Sequence, residues 1–334
     1  MQITQFGDMA QAYTMRSHNT AIKQEMQRLS TEIATGRISD VRKITNGSTA
    51  YLNDLERSLT KLDGYEMAAR EAAQFANGMQ TALTRISDLN ATFQATLLTA
   101  QNAAFGDTST SILAEAKATF GQVISAMNTS ISGRTIFAGA ATDTQPIAPP
   151  ADILSALGTA LIGAGNVDDM LTSAQAWFDD PGGFGATGYL GSNTSLSAIS
   201  LSDNDAAQFE IRGDDPSLRD TLRNLALIAL ADDPALGLTN AQQTELFQKS
   251  SNNVMSAGES LIMLQAKVGL SENQIEVLTV RHTSERTSLQ MARNDLLSID
   301  PYYAATELEQ VQFQLQSLYA ITSRMSQLSL VNYL

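Results

Sequence analysis

The chain has 334 residues, 43% of them hydrophobic, and its 35 acidic and 21 basic side chains give a formal net charge of −14. Phosphate neutralisation requires a basic face, so this charge disfavours a nucleic-acid binder, and the apolar content excludes wholesale disorder. The sequence contains no cysteine, which excludes disulfides, thiolate nucleophiles and cysteine-ligated metal centres.

The opening segment and the hydropathy of the chain bear on targeting. The first residues lack the basic start and following apolar stretch of a secretory signal peptide. No run reaches the ~18 apolar residues that a membrane span requires. We therefore expect neither a cleaved signal peptide nor membrane insertion.

The first predicted element is a long helix whose apolar positions alternate at spacings of three and four, which is the seam of a heptad repeat. These positions are Ala12, Met15, Asn19, Ile22, Met26, Leu29 and Ile33. Asn19 is a polar insertion of the kind that sets register. Gly36 follows Thr35 as a C-terminal cap glycine does, which predicts that the helix ends at Thr35.

Two more helices are predicted before the first proline, Pro146. One begins after residue 48 and carries an apolar face as far as Leu97, with a shift of the seam near Gly78. The other covers about 108–127. Together with the first helix they form a predicted N-terminal arm, residues 1–140.

The middle of the chain differs in composition from both ends. Six of the seven prolines fall between Pro146 and Pro234, and nine acidic residues but no lysine or arginine lie between Arg134 and Arg212. This change predicts an inserted acidic domain over residues 141–240, facing solvent. Its predicted elements are short helices near 153–161, 167–177 and 221–230 and a hairpin within 195–211.

The C-terminal arm, residues 241–334, also carries apolar residues at heptad spacing. A seam from Leu261 to Leu296 is interrupted at His282 and Glu285, and a second seam follows Asp300 and Pro301. The second seam consists of Ala304, Leu308, Val311, Leu315, Leu318, Thr322 and Met325. Helices of ~30–45 Å cannot bury such stripes against a small globular core, so each stripe needs another long helix.

Candidates for chemistry are few. His18 and His282 lie far apart on predicted helices, and no phosphate loop, nucleophile elbow or zinc-binding helix motif is present. The acidic groups at 168–169, 179–180 and 202–205 suggest calcium, but the last lacks the glycine and distal glutamate of a helix-loop-helix calcium site. We therefore predict solvated acidic loops and no catalytic, cofactor-binding or metal-binding residue.

Four segments together resemble the flagellin superfamily, and within it the hook-filament junction proteins. Residues 29–38, with Gly36 and Arg37, are similar to the turn after the first flagellin helix. Residues 132–139, followed by a T-x-T-x-P pattern at 142–146, and the closing residues 328–334 favour the junction group. The signature residues are Gly36, Arg37, Gly133, Arg134, Phe137, Gly139, Asn332, Tyr333 and Leu334. Residues 300–316 resemble the start of the last helix of the group.

The resemblance implies a mainly α fold, a long antiparallel, coiled-coil-like bundle formed by both termini, with a small mixed α+β central domain. It further implies a non-enzymatic structural subunit of the bacterial flagellum. Such a subunit self-assembles outside the cell between hook-associated protein 1 and the flagellin filament. The resemblance also implies that a cytosolic chaperone binds the subunit first and that the subunit is then exported without a cleaved signal peptide.

The residues expected to form the assembly seam lie on the two terminal helices. They are Met15, Asn19, Ile22, Met26, Leu29, Ile33, Leu308, Val311, Leu315, Leu318 and Met325. Two other functions share the same physical arguments and stay open. One is flagellin itself, the filament subunit, and the more remote one is a cytosolic signalling coiled coil.

Overall fold

A computed structural model describes residues 3–40, 49–100 and 107–331. The helices are α1 (Ile3–Thr35), α2 (Ala50–Ala100), α3 (Asp107–Met127), α4 (Pro150–Leu161), α5 (Val167–Asp179), α6 (Phe184–Thr187), α7 (Pro216–Ala229), α8 (Asn240–Leu297) and α9 (Pro301–Val331). The strands are β1 (Ser130–Ile131), β2 (Arg134–Thr135), β3 (Ile199–Ser200) and β4 (Ala206–Ala207). The predicted fold class, mainly α with a small α+β part, is confirmed.

The chain divides into two compact units. One contains Met1–Leu62 and Thr283–Leu334, and the other contains Asp63–His282. The long helices α2 and α8 each contribute residues to both units. The separate middle domain over 141–240 stays a prediction, and in the structure these residues share one compact unit with their neighbours on both sides.

In the second unit, α2 and α8 run antiparallel and supply the walls of the core. The Asn90 side-chain amide donates to the Val254 carbonyl at 3.0 Å, and Tyr65 stacks on His282 with ring centroids 5.8 Å apart. Tyr65, early in α2, thus lies beside His282, late in α8, and Asn90, later in α2, lies beside Val254, earlier in α8. The predicted interruption at His282 is wrong, because His282 is buried and continues the spacing of Ile275 and Leu278.

The shift of the α2 seam near Gly78 has a cause in tertiary packing. The side chain of Ile131, in the β1–β2 hairpin, occupies the space where a β-carbon on residue 78 would lie. Met79 and Ala76 on either side are buried in the core. A glycine at this position leaves room for the end of the Ile131 side chain beside the helix.

The short helices α5 and α7 of the middle segment each begin after a residue whose side chain caps the first turn. Asn166 accepts a hydrogen bond from the Asp169 amide at the start of α5, and Asp215 accepts one from the Ser217 amide at the start of α7. Pro216 takes the first turn of α7, where its missing N–H costs nothing. As a result α7 begins earlier than the predicted residue 221. It packs on α3 and α5 and buries Leu218, among others.

Basic residues from outside the acidic stretch pair with its carboxylates. Lys249 contacts Asp168 at 2.7 Å, and Arg281 contacts Asp205 at 2.9 Å. The hydrogen bond that the Lys249 ammonium donates to Asp168 is the main cause of the raised pKa of Lys249. Such surface pairs contribute little stability individually, but here they link α5 and the β3–β4 turn to α8.

The predicted hairpin within 195–211 is confirmed as the antiparallel pair β3–β4. Its turn carries the carboxylates that suggested calcium. Tyr65 donates to Asp203 at 2.8 Å, and Ser202 donates to Asp205 at 2.8 Å. Among the described residues, no group of three or more acidic, histidine or cysteine side chains could hold a metal ion.

The turn makes the hairpin sensitive to acid. Hydrogen bonds from Ser202 and then from Arg281 lower the pKa of Asp205. Because this pKa is lower in the folded state than the unfolded value of about 3.9, the carboxylate stabilises the fold above pH ~4, and that contribution is lost as the pH falls.

We expect Asp205→Asn to lower the urea midpoint of unfolding at pH 7, since the amide cannot replace the charged acceptor. The difference from the unmodified chain should shrink as the pH falls below ~4 and the Asp205 carboxylate becomes protonated. The control Asp143→Asn, at an exposed loop position, should leave the midpoint unchanged. A difference for Asp205→Asn that stayed constant as the pH fell would contradict the assignment.

Candidate assembly surface

Helices α1 and α9 pack against each other in antiparallel orientation. The Thr322 hydroxyl lies 3.9 Å from the Met15 sulfur, and the Lys23 ammonium lies 6.0 Å from the centre of the Tyr319 ring. Near the other end of the pair, the Ile38 amide donates to the Leu297 carbonyl at 2.9 Å. Met15, in the first half of α1, thus contacts Thr322 in the later part of α9, and residues just after α1 contact the chain just before α9, as in an antiparallel pair.

The expected seam residues lie along this pair but are covered unequally. Leu29 is buried, whereas the other described members are only half-buried. The half-buried members are Met15, Asn19, Ile22, Met26, Ile33, Leu308, Val311, Leu315, Leu318 and Met325. Two helices can cover only one side of each other, so part of every seam side chain stays in contact with water.

The polar insertions in the seam make specific contacts. Hydrogen bonds with Lys23 and then with Asn19 lower the pKa of Tyr319. The Thr322 hydroxyl also donates to the Leu318 carbonyl at 2.6 Å, which satisfies it within α9. Asn19 therefore meets a polar group across the pair, as a register-setting seam residue does.

The turn after α1 is held by Gly36 and by a buried carboxylate. Gly36 has a φ of +68°, and its carbonyl accepts from the Ile299 amide at 3.3 Å. Glu32 accepts from Arg28 at 2.6 Å and from the Ser39 amide at 2.7 Å. The carboxylates of Glu25 and Glu32 raise the pKa of Arg28, so the guanidinium stays charged. Sequence reasoning missed Glu32, although its spacing from Arg28 was visible.

Large apolar side chains are exposed on the outside of the pair. We call Met9, Tyr13, Tyr302, Tyr303, Phe313, Tyr319 and Ile321 the terminal surface, and their exposed fractions run from 48% to 84%. Aromatic residues bury large areas when a partner covers them and are enriched in interfaces. The sequence analysis missed this set because it followed the seam; aromatic residues off the seam were the available signal.

The other signature residues lie in and after the β1–β2 hairpin. Gly133 has a φ of +79° in its turn, and Arg134 pairs with Glu71 on α2. The Thr135 hydroxyl donates to the carbonyl of Thr144 at 2.8 Å, and its amide donates to the carbonyl of Thr142 at 2.8 Å. The T-x-T part of the motif thus closes the loop through its backbone.

Phe137 and Gly139 connect this hairpin to the rest of the second unit. Phe137 is fully buried, and its carbonyl accepts from the Gly213 amide at 2.8 Å. Gly139 has a φ of +62°, and a β-carbon there would lie 2.5 Å from the Thr194 carbonyl oxygen. Four of the signature residues therefore serve folding. Asn332, Tyr333 and Leu334 lie outside the described residues.

The two histidines have different surroundings. His18 is exposed on α1. His282 is buried against Tyr65, and neither ring nitrogen has a hydrogen-bond partner among the described residues. The two histidines belong to different compact units of the chain.

The comparison with protein families concerns the C-terminal arm. Residues 239–334 match the family model described as the bacterial flagellin C-terminal helical region. The C-terminal arm thus carries a helical region of flagellin type, and the predicted resemblance to that superfamily is confirmed. The match supports a structural role in the bacterial flagellum. Among curated proteins, none matches the chain significantly.

Two solved structures share the fold. One, a flagellar hook-associated protein from Vibrio parahaemolyticus by its description, has 14% identity, a TM-score of 0.52, and coverage of 73% of this chain and 95% of the other. The other, FlgL of Bacillus cereus, has 14% identity, a TM-score of 0.53, and coverage of 72% and 100%. At this identity the likeness shows the fold alone. No helix among the described residues is long and apolar enough to cross a membrane.

We expect Gly139→Ala to lower the free energy of unfolding by about 2–4 kcal/mol, because a β-carbon meets backbone oxygens that cannot move freely. The matched control is Gly133→Ala, where φ is also positive but no atom lies within 4 Å. That control should cost only about 1–2 kcal/mol of backbone strain. Urea unfolding of both variants measures the difference, and equal losses would contradict the close approach.

Proposed function

We propose that this chain is the hook-filament junction subunit of the bacterial flagellum, a protein of the hook-associated protein 3 type. In this role it assembles with copies of itself between hook-associated protein 1 and the flagellin filament. It acts as a structural adaptor and catalyses no reaction. The observation that carries the proposal is the terminal surface on a helix pair of flagellin type.

The terminal surface supports assembly because a monomer leaves it in water. Burying apolar area stabilises an interface by roughly 25 cal/mol per Å², and an exposed aromatic side chain such as Phe313 or Tyr302 offers a large area of this kind. Exposed apolar patches on soluble chains are typical of interaction sites. A neighbouring copy of the chain would cover both the surface and the half-buried seam.

The choice of junction over filament is supported by the segment around Gly133, Arg134, Phe137 and Gly139. Its resemblance to the junction group is closer than to flagellin. Two solved structures with the same fold are described as hook-associated protein and FlgL. The second candidate function is flagellin, the filament subunit, which the family description of residues 239–334 favours.

Export and guarding belong to the same proposal. We propose that the chain leaves the cell through the flagellar secretion channel, without a cleaved signal peptide. A cytosolic chaperone would bind it before export, since the terminal surface otherwise favours premature association. The exposed carboxylates of the middle segment would keep the exported chain soluble.

Substitutions on α9 separate pairing within the chain from assembly between chains. Leu315→Asp or Leu318→Asp should loosen the α1–α9 pair and block assembly, because a charged carboxylate would replace an apolar side chain at a half-buried contact between the helices. Phe313→Asp should leave the pair intact and still block assembly. The control Gln310→Asp, at an exposed polar position, should do neither.

Hydrogen exchange of α1 and α9 reports pairing, and sedimentation together with swimming motility reports assembly. A Phe313→Asp variant that sediments and swims like the unmodified chain would show that the terminal surface is not an interface. Normal motility in the Leu315→Asp variant would refute the role of the seam.

Electron microscopy of flagella labelled with an antibody to this chain tests the location. A single band at the hook end is expected for the junction subunit. Label along the filament means flagellin, and label confined to the cytoplasm means a signalling coiled coil. Deletion of the gene should leave hooks and shed flagellin into the medium.

A further inference from the structure

A second heptad stripe lies on α8, on the opposite side from the core. The inner seam of α8, including Leu261, Val268 and Ile275, is buried. Residues two positions further along lie about 200° around the helix from these, since each residue turns the helix by about 100°. That opposite face is where most proteins of this kind place charged residues.

Here the opposite face is apolar instead. We call Ile262, Met263, Leu270, Val277 and Val280 the outer stripe, and all of them are between 59% and 72% exposed. Met263, Leu270 and Val277 are spaced by seven residues, and Asn273 and Val280 fill the alternate seam positions three residues after Leu270 and Val277. This is the spacing of a coiled-coil seam with no helix of the described chain covering it.

We propose that the outer stripe pairs with the outer stripe of a second copy of this chain, as a parallel, in-register coiled coil between the two α8 helices. With Met263, Leu270 and Val277 at the first heptad position, Glu276 falls at the seventh and Arg281 at the fifth. In a parallel pair, the seventh position of one helix faces the fifth position of the next heptad on its partner. Glu276 and Arg281 are five residues apart, so the pair gains two symmetric ion pairs.

The charges disfavour the antiparallel alternative. That arrangement sets fifth positions against fifth positions, which brings Arg281 and Lys267 to the same edge with like charge. Arg281 can serve a second carboxylate, because its hydrogen bond to Asp205, at 2.9 Å, uses one guanidinium nitrogen and a guanidinium has five donors. Asn273, which is exposed at a seam position, would meet its own copy and fix the register.

The pair is a closed two-fold contact and does not extend into a ring, which requires heterologous contacts. It is a soluble state of the chain, in which the outer stripe is covered. The inference does not depend on the proposed function, because the stripe lies at residues 262–280 and the terminal surface lies on α1 and α9.

The absence of cysteine allows a direct test by single-site crosslinking of the full chain. Leu270→Cys and Val277→Cys should each form disulfide-linked homodimers under mild oxidation. The control Ala118→Cys, exposed on α3, should stay monomeric. A chain that sediments as a monomer at ~100 μM and gives no crosslink at either site overturns the proposal.

Two further experiments test the parallel orientation of the two α8 helices and the ion pairs between them. An antiparallel pair would link Leu270→Cys to Asn273→Cys in a mixture in place of the homodimers, which also overturns the proposal. Glu276→Arg should weaken the dimer at least tenfold, because both ion pairs become repulsive. Asp152→Arg, with the same charge change at an exposed site, should leave the dissociation constant unchanged. Equal affinity for Glu276→Arg and the unmodified chain would refute the parallel ion pairs.

Discussion

The structure depends on one constraint: apolar stripes on helices of more than 30 residues must be covered by other long helices. The core of the second unit meets it by setting α2 against α8, with Asn90 hydrogen-bonded to the Val254 backbone. The α1–α9 pair meets it only in part, because each helix covers one side of the other. Exposed aromatic residues such as Phe313 remain, and the proposed assembly would cover them.

The charge distribution has a related consequence. The acidic stretch between Arg134 and Arg212 has no basic residue of its own, and its carboxylates are mostly exposed. Lys249 and Arg281 on α8 nevertheless reach Asp168 and Asp205. A region that is uniformly negative in sequence is thus partly neutralised at its contact with the long helix, while its remaining carboxylates face water.

Much of the fold could be predicted from the sequence, because its signals are local. Gly36 ends α1 and Pro301 opens α9, and both effects depend only on backbone conformation near the residue. The seam from Met15 to Ile33 follows from the period of the helix. By contrast, the roles of Ile131 and His282 depend on residues distant in sequence, and periodicity carries no information about such partners.

The features of the candidate assembly surface likewise include some that the sequence predicts and others that only the packing of the helices determines. The sequence by itself determined the helices, the seam at Leu315 and Leu318 and the acidic composition of the middle, since spacing and charge are properties of the chain. Only the tertiary structure decided which side chains stay exposed, such as Tyr302 and Leu270, and why Gly139 has to be glycine. Whether a side chain stays exposed, and whether two backbone segments approach closely, depends on how the helices and strands pack against each other. Spacing along the chain therefore does not determine either one.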